Sequence, residues 1–218
     1  VVDGKDRFVR DFVFPSVQAN ARYQGVYPLA TALARPLIAQ LLVEVADRER
    51  ADAVAHGSIG KGNDQVRFDV AVHALDPKLE VVAPMRVGMG LTHEQALAYA
   101  TDRGIEMAAS SGSRYSLDHN LWGRSIETGV LEDPWTTPPA DVYEWTVDPG
   151  AAPKIPTEVT IGFEAGVPVS LDGDPQHAVE RVRNTLAGLM DGDVAFQAER
   201  TGHFGTDTRV RHIIGLDG

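Results

Sequence analysis

No cysteine occurs among the 218 residues of the sequence. Disulfide bonds, thiolate metal sites and a cysteine nucleophile are therefore excluded within these residues, and the composition suits a reducing cytoplasm. Basic residues are fewer than acidic ones, which gives a formal net charge of −11. This charge disfavours nucleic acid and anionic membranes as partners. No apolar run approaches the ~20 residues of a membrane-spanning helix, so we expect a cytoplasmic protein that binds neither nucleic acid nor membrane.

The sequence also lacks a starting methionine, and Val1–Asp6 has neither the basic start nor the apolar stretch of a signal peptide. We therefore expect a processed, trimmed or incomplete chain. The residues that are present are ordinary for a globular protein, since 43% are apolar and 23% are charged. A chain of this length can bury a sizeable core.

In the first half, short apolar runs alternate with segments that have helical periodicity. Strands are predicted over residues 51–56, 79–83 and 105–108, and helices over 7–23, 31–46, 63–75 and 92–103. Pro15 is expected to open the second of two short pieces in the first helical region. Thr92 and Gln95 form a capping box, and Gly104 follows the last turn of that helix. This order predicts a parallel sheet with crossover helices.

Two of these assignments leave alternatives open. Residues 63–75 alternate apolar and polar positions as a strand would, although the spacing of Val66 and Val70 also suits a helix, which we favour. Pro36 marks either the start of the second helix or a kink in it. The buried face of that helix is expected to carry Leu33, Ile38, Leu41, Leu42 and Val45.

The second half differs in composition, because its connecting segments are rich in small residues and proline. Residues 157–171 alternate in two runs around a Glu-Ala-Gly turn, which predicts a hairpin. Asp174-Pro175 is expected to cap a helix that carries Val179, Val182 and Leu186. The residues from Asp191 onward show no clear periodicity. We place a domain boundary near residue 109, giving domains 1–108 and 109–218.

The segment most informative about chemistry is residues 56–68, His-Gly-Ser-Ile-Gly-Lys-Gly-Asn-Asp-Gln-Val-Arg-Phe. Its three glycines allow a sharp turn that directs N–H groups outward, as an anion or nucleotide site requires. The spacing fits neither a P-loop nor the GxGxxG pattern. If a helix begins here, Asn63 and Arg67 share one face and could hold a carboxylate. The alternative is an ordinary helix start with polar surface residues.

Residues 56–68 closely resemble the HGxTGKGNDQVRFE signature of the argininosuccinate synthase family. Two further segments agree in the same order: residues 27–36 (YPLATALARP) and residues 115–127 (YSLDHNLWGRSIE), the latter followed by a similar GVLEDP segment. The resemblance extends from about residue 7 to about residue 188. Three long motifs in register make a specific signal.

The resemblance implies an α/β fold. A parallel-sheet nucleotide-binding domain of the adenine nucleotide alpha-hydrolase-like type, missing its first strands, would be followed by part of an α+β synthetase domain. It also implies a ligase of arginine biosynthesis that joins citrulline to aspartate through citrullyl-AMP. ATP would be a co-substrate with Mg²⁺, and the complete protein would be a homo-oligomer, a tetramer in the family.

The resemblance carries site residues over position by position, and it supplies no catalytic side chain and no protein metal ligand. Those expected to contact citrulline are Tyr27, Asn63, Arg67, Ser116 and Ser125. Aspartate would meet Ile59, Asn63 and Asp64, and Gly57 would approach ATP. Lys61 is a further candidate for phosphate charge. Without the resemblance, Tyr27 would be read as a packing residue and the two serines as caps or turns.

Three departures bear on activity. Ile59 stands where the family has a threonine that binds aspartate. The family's Ser-Gly-Gly-x-Asp-Thr-Ser loop for ATP would lie upstream of this sequence. After Gly188 the sequence no longer matches the family pattern. The main alternative is therefore a catalytically impaired homologue that binds amino acids or nucleotides. Another adenylating ligase of the same superfamily is a third possibility, disfavoured by the three motifs.

Overall fold

A computed structural model of the protein describes residues 1–25, 27–60, 62–87, 93–105, 115–143, 155, 158–175, 180 and 208–213. The chain forms two compact units. The first comprises Val1–Gly4 and Ala32–Ser116, and the second comprises Lys5–Thr31 and Leu117–Gly218. The boundary expected near residue 109 lies outside the described residues.

The N-terminal segment is helical, as predicted, and changes its winding along its length. Helix α1 (Lys5–Phe8) leads into a π-helical turn (Val9–Val13), which leads into α2 (Phe14–Gln18). Pro15 lies in the first turn of α2, where its missing N–H would have no helical partner in any case. Val9 and Val13 are fully buried, so this segment contributes to a core.

Helix α3 (Ala30–Glu49) is longer than predicted, and Pro36 lies inside it. The alternative that Pro36 marks the helix start is therefore wrong. The expected apolar face is also wrong in part, because Ile38 is 38% exposed while Ala39 is fully buried. Small side chains allow neighbouring elements to approach closely, and the remaining buried positions of α3 are mostly alanines. They are Ala30, Ala34, Leu37 and Ala46.

Strands β1 (Ala53–Ala55) and β2 (Glu80–Val82) pair in parallel, as the order of elements predicted. Helix α4 (Asp64–Leu75) connects them, and it decides the ambiguous segment in favour of a helix. Phe68 and Val72, four residues apart, are buried in a core cluster, whereas Val66 and Val70 are more than half exposed. The other buried members of this cluster are Ala39, Ala46, Val54 and Leu79.

The first unit continues with α5 (Pro84–Val87) and α6 (His93–Asp102). Gly104 ends α6 as predicted, with φ of +62°. The N–H groups of Ile105 and Gly104 donate to the carbonyls of Ala100 and Thr101, which is the double bond of a Schellman motif. The predicted cap Thr92 and the rest of the strand expected over 105–108 lie outside the described residues.

Two sheets are found among the described residues of the second unit. Strands β3 (Ser116–Asn120) and β4 (Gly123–Glu127) form a pair that the sequence did not reveal. Strands β5 (Glu158–Glu164) and β6 (Val167–Leu171) form the predicted hairpin. Its two turn residues, Ala165 and Gly166, have φ of +50° and +81°. Two successive positive φ values match the right-handed twist of the strands. Short 3₁₀ helices occupy Gly129–Glu132 and Ala140–Val142.

The hairpin extends into a four-stranded sheet whose outer strands differ from expectation. Asp174-Pro175, expected at a helix cap, forms the short strand β7 (Asp174–Pro175), which pairs with β6. The following predicted helical residues lie outside the described part of the chain, apart from Glu180, which is helical. Strand β8 (Thr208–Ile213) pairs antiparallel with β5, in a region where the sequence showed no period. The strand conformation of β8 is stabilised by its pairing with β5 and is not indicated by its local sequence.

Candidate functional site

The loop that follows β1 is held at several points in the first unit. The His56 N–H donates to the Val82 carbonyl at 3.1 Å, which continues the β1–β2 ladder by one residue. Gly62 has φ of +93°, a conformation that favours glycine. The Gln65 side chain donates to the Gly60 carbonyl at 2.7 Å. The loop is therefore tied to both the strand before it and the helix after it.

Gly57 lies on the open side of this loop. Among the described residues, its immediate chain neighbours aside, no atom lies within 4 Å of a Cβ atom added to Gly57. Packing against those residues therefore does not require a glycine here, and space is left beside the backbone. This space is compatible with a ligand that approaches the main chain closely.

A second set of contacts fixes His56 under the loop. Its imidazole is almost fully buried and stacks on Phe68, with ring centroids 5.2 Å apart. Nδ1 accepts a hydrogen bond from the Ser58 N–H at 3.2 Å, so the proton of the neutral ring is on Nε2. Nε2 lies 3.5 Å from Asp69 Oδ1. Arg86 of α5 donates to the other oxygen of Asp69.

The Asp69 carboxylate therefore has a cation on one side and an imidazole on the other. Burial by itself raises the pKa of Asp69, but hydrogen bonds from Arg86 and His56 and the charge of Arg86 outweigh it and hold that pKa below its ordinary value. The group stays ionised and anchors both α5 and the histidine that supports Ser58. This arrangement positions the loop.

A carboxylate held between two guanidinium groups stands at the start of α4. Arg35 of α3 donates from Nε and Nη2 to Asp64 Oδ2, at 2.9 and 2.7 Å. Arg67 donates from Nη1 to Asp64 Oδ1 at 2.8 Å. The three side chains are 19%, 30% and 32% exposed, in the order Arg35, Asp64, Arg67. We call them the Arg35–Asp64–Arg67 cluster.

Burial by itself raises the pKa of Asp64, but hydrogen bonds and charge from Arg35, and then from Arg67, outweigh it and lower the pKa below its ordinary value. Asp64 is thus a carboxylate at neutral pH. Within the described part of the chain, Arg67 uses Nη1 for this contact and keeps further N–H groups for other acceptors.

Asn63 occupies the N-cap position of α4, yet its side chain makes no capping hydrogen bond. Asparagine is favoured at this position because its side chain usually bonds to a free N–H of the first turn. The amide of Asn63 is instead exposed, one turn before Arg67, whose backbone N–H donates to the Asn63 carbonyl at 3.0 Å. The two residues predicted to hold a carboxylate thus lie on one helical turn.

In the second unit, the Tyr27 hydroxyl accepts a hydrogen bond from the Thr31 N–H at 3.1 Å. Thr31 is in the first turn of α3, where N–H groups have no helical acceptor, so Tyr27 caps the helix from outside it. Leu29, between them, has φ of +62°. A branched residue in this left-handed conformation is strained unless neighbouring contacts hold it.

Residues 28–30 are held by the end of β3 and by the turn that joins it to β4. The Trp122 indole N–H donates to the Pro28 carbonyl at 2.9 Å, and the Asn120 amide donates to the Ala30 carbonyl at 2.8 Å. Asn120 Oδ1 also accepts from the Trp122 N–H at 2.8 Å. A Cβ on Gly123 would approach the Ala30 Cβ to 3.1 Å. Two sequence motifs separated by some ninety residues are thus docked on each other.

Ser125 and Ser116 are on the two strands of this pair. Ser125 is two residues after Gly123 on β4, so its side chain points to the same face of the strand, about 7 Å along it. That face is the one that packs against Pro28 and Ala30. Ser116 is the first residue of β3 and is exposed.

Comparison with known proteins is consistent along most of the chain. The sequence profile of the arginosuccinate synthase N-terminal HUP domain matches residues 1–106, and that of the arginosuccinate synthase C-terminal domain matches residues 115–190. The chain belongs to the argininosuccinate synthase family. Among relatives with the name argininosuccinate synthase, the protein of Thermosynechococcus vestitus is 56% identical over 182 residues, which are 84% of this chain and 45% of the relative.

Two other argininosuccinate synthases give the same result. The protein of Symbiobacterium thermophilum is 53% identical over 212 residues, covering 89% of this chain and 53% of the relative. That of Gloeobacter violaceus is 53% identical over 190 residues, covering 86% of this chain and 48% of the relative. The chain thus spans about half the length of the relatives that it matches. The HUP domain match establishes the nucleotide-binding α/β class of the first domain.

Within this family, the candidate residues fall into both units. Gly57, Asn63, Asp64, Arg67 and Ser116 are in the first unit, and Tyr27 and Ser125 are in the second. Ile59, which replaces the threonine of the family signature, is 54% exposed on the loop. Lys61 lies outside the described residues.

Sequence reasoning missed several residues that shape the site. Arg35 and Asn120 each lie inside a family motif, but neither was assigned a role. Asp69 and Arg86 carry no local signal, since they are 17 positions apart.

Proposed function

We propose that the whole protein to which this chain belongs is an argininosuccinate synthase that ligates L-citrulline and L-aspartate at the expense of ATP. The observation that carries the proposal is the start of α4 in a chain of this family. There, Asn63 has an amide that caps nothing, and Arg67 stands one turn further along with only Nη1 committed among its described contacts. An amide and a forked cation at this spacing suit an amino-acid carboxylate.

The reaction has two balanced steps. The ureido oxygen of citrulline attacks the α-phosphorus of ATP, forming an O–P bond while the bond to the departing pyrophosphate breaks. The amine of aspartate then attacks the activated ureido carbon, forming a C–N bond, and the C–O bond to AMP breaks. The amine proton is lost to solvent. Such chemistry depends mainly on positioning and charge stabilisation by the protein, since ATP supplies the activation.

In this proposal the side chains have binding roles. Arg67 and Asn63 hold the citrulline carboxylate, and Tyr27, Ser116 and Ser125 offer hydroxyls to its polar groups. Asn63, Asp64 and the loop around Ile59 meet aspartate. Gly57 leaves room for the nucleotide, because no atom of the described residues, its chain neighbours aside, comes within 4 Å of a Cβ built on it.

Mg²⁺ would accompany the nucleotide. Among the described residues, no group of three or more histidine, aspartate or glutamate side chains could hold a metal ion. In this proposal the ATP phosphates would bind the ion. We also propose that the complete protein is a cytoplasmic homo-oligomer. No helix in the described part of the chain has the length and apolar character needed to cross a membrane.

The test uses the full-length protein with citrulline, aspartate and Mg-ATP, and measures argininosuccinate, AMP and pyrophosphate. Equal amounts of the three products are expected. Citrulline-dependent exchange of labelled pyrophosphate into ATP, measured without aspartate, isolates the first step. Exchange without ligation would indicate that only the aspartate step is impaired. The absence of both exchange and ligation would favour the impaired homologue. A product formed with an amine other than aspartate would indicate another adenylating ligase.

Arg67→Lys tests the carboxylate role. Lysine keeps the charge but loses the forked geometry, so the citrulline KM should rise about tenfold or more, as expected for a lost charged hydrogen bond. Arg48→Lys is the matched control, because Arg48 is two-thirds exposed and pairs only with its neighbour Glu49 among the described contacts. An unchanged citrulline KM in Arg67→Lys would contradict the assignment.

A further inference from the structure

The Arg35–Asp64–Arg67 cluster joins a residue of α3 to two residues of α4. Arg35 and Asp64 are 29 positions apart in sequence. Two of the donors of Arg35 converge on one oxygen of Asp64, which leaves the other oxygen for Arg67. Two guanidinium N–H groups that converge on one carboxylate oxygen hold that oxygen more firmly than a single bond would. The position of the Asp64 carboxylate, and with it the direction of Arg67, therefore depends on Arg35.

We infer that Arg35 is a positioning residue for substrate binding: through Asp64 it sets the position of Arg67 without itself touching substrate. The inference rests on the proposed function, because Arg67 is the residue proposed to hold the citrulline carboxylate. It also assigns Asp64 a second task besides meeting aspartate. Both Asp64 oxygens are already bonded to guanidinium groups, so a substrate ammonium would share an oxygen already in use.

Charge supports the same conclusion. A carboxylate between two arginines leaves a net charge of +1 in the cluster, which favours an anionic substrate group. Loss of Arg35 would remove that excess, because Asp64 and Arg67 would then neutralise each other. Arg35 is the least exposed of the three, at 19%. Water therefore competes less for its contacts than for those of a surface pair.

The kinetic test compares Arg35→Gln, Arg35→Lys and the control Arg48→Gln, all in the full-length protein. Arg48 is on the same helix and makes an exposed pair with Glu49, so the control reproduces the change of residue and charge. Arg35→Gln should raise the citrulline KM about tenfold, the factor that corresponds to about 1.4 kcal/mol, with a smaller change in the ATP KM. Arg35→Lys keeps the charge with a single contact and should recover part of the loss.

The pH profile gives a readout that a purely structural role would not move. Arg35 is one of the two cations that lower the pKa of Asp64. Without it, Asp64 should protonate at a higher pH, and the acid limb of log kcat/KM for citrulline should move to higher pH. Arg35→Lys should restore the wild-type limb, and Arg48→Gln should not move it. If Arg35→Gln and Arg48→Gln share citrulline KM values and pH profiles, the inference is wrong.

Titration of Asp64 by carbon-13 NMR separates this inference from the proposed function, because it needs no turnover. The Asp64 carboxyl signal is identified by its loss in Asp64→Asn. It should titrate at a higher pH in Arg35→Gln than in wild type or Arg48→Gln. If the wild-type protein is inactive but the Asp64 titration differs between wild type and Arg35→Gln, the proposed function is refuted while the control of Asp64 by Arg35 is supported. An active wild type with no shift would refute the inference alone.

Discussion

Trp122→Phe should loosen the docking of the β3–β4 segment on residues 28–30. The substitution keeps an aromatic ring but removes the indole N–H that donates to the Pro28 carbonyl at 2.9 Å. That carbonyl is part-buried, so it loses a partner that water replaces poorly. The cost of such a loss is about 1–2 kcal/mol. For a protein of this size it corresponds to a Tm lower by roughly 2–8 °C.

The assay is thermal unfolding followed by far-UV circular dichroism, with Trp135→Phe as the control. Trp135 is 93% exposed, and the contact found for it is a backbone one, from its N–H to Asp133. The control substitution should leave Tm unchanged within about 1 °C, as expected for a surface site. Equal Tm values for Trp122→Phe and Trp135→Phe would refute the argument that the indole contact holds the segment.

Asn120→Ala extends the same test. Asn120 donates to the Ala30 carbonyl and accepts from the Trp122 N–H, so it acts on the same docked segment. Residues that share a network show coupling energies of about 0.5–3 kcal/mol. The Trp122→Phe and Asn120→Ala double variant should therefore lose less stability than the sum of the single losses. Simple additivity would mean that the two contacts are independent.

Three further predictions concern other parts of the chain. Asp69→Asn should release Arg86 and lower stability at pH 7. Because the pKa of Asp69 is depressed in the folded protein, the ionised carboxylate stabilises the fold above the ordinary pKa of 3.8. This stabilisation is lost as the pH falls through the lower folded pKa. In urea unfolding, the difference in stability between Asp69→Asn and wild type should therefore be smaller at pH 3 than at pH 7. Gly166→Ala should cost more stability than Gly173→Ala in urea unfolding. Both glycines have positive φ, but among the described residues a Cβ has a close neighbour only at Gly166, 3.2 Å from the side chain of Gln18. Equal costs would mean that this contact relaxes freely. Ile59→Thr should lower the aspartate KM while leaving Tm within about 2 °C, because Ile59 is 54% exposed, and an unchanged aspartate KM would remove Ile59 from the proposed site.

Several elements were predictable because their signals are local. The hairpin over β5 and β6 follows from alternation around a turn that contains Gly166. The end of α6 follows from Gly104, which adopts the left-handed conformation that closes a Schellman motif. The family follows from three long motifs in order. In each case the residues that determine the outcome are neighbours in the chain.

Other features have no local signal. Residues 208–213 form a strand because β5 offers them a partner. Asp174-Pro175 has the pattern of a helix cap, but pairing with β6 prevails. Ile38 is exposed while nearby alanines are buried, because the shape of the neighbouring elements decides which face of α3 is covered.

The sequence by itself therefore determined the class of the first domain, the family and the residue types available for binding. The tertiary structure alone decided how those residues are held: Arg35 against Asp64 across 29 positions, and Trp122 against Pro28 across 94 positions. The physical reason is that a periodic pattern reports which face of an element is buried, and not which partner covers it. Hydrogen bonds and ion pairs between distant residues form only after the chain has brought their elements together.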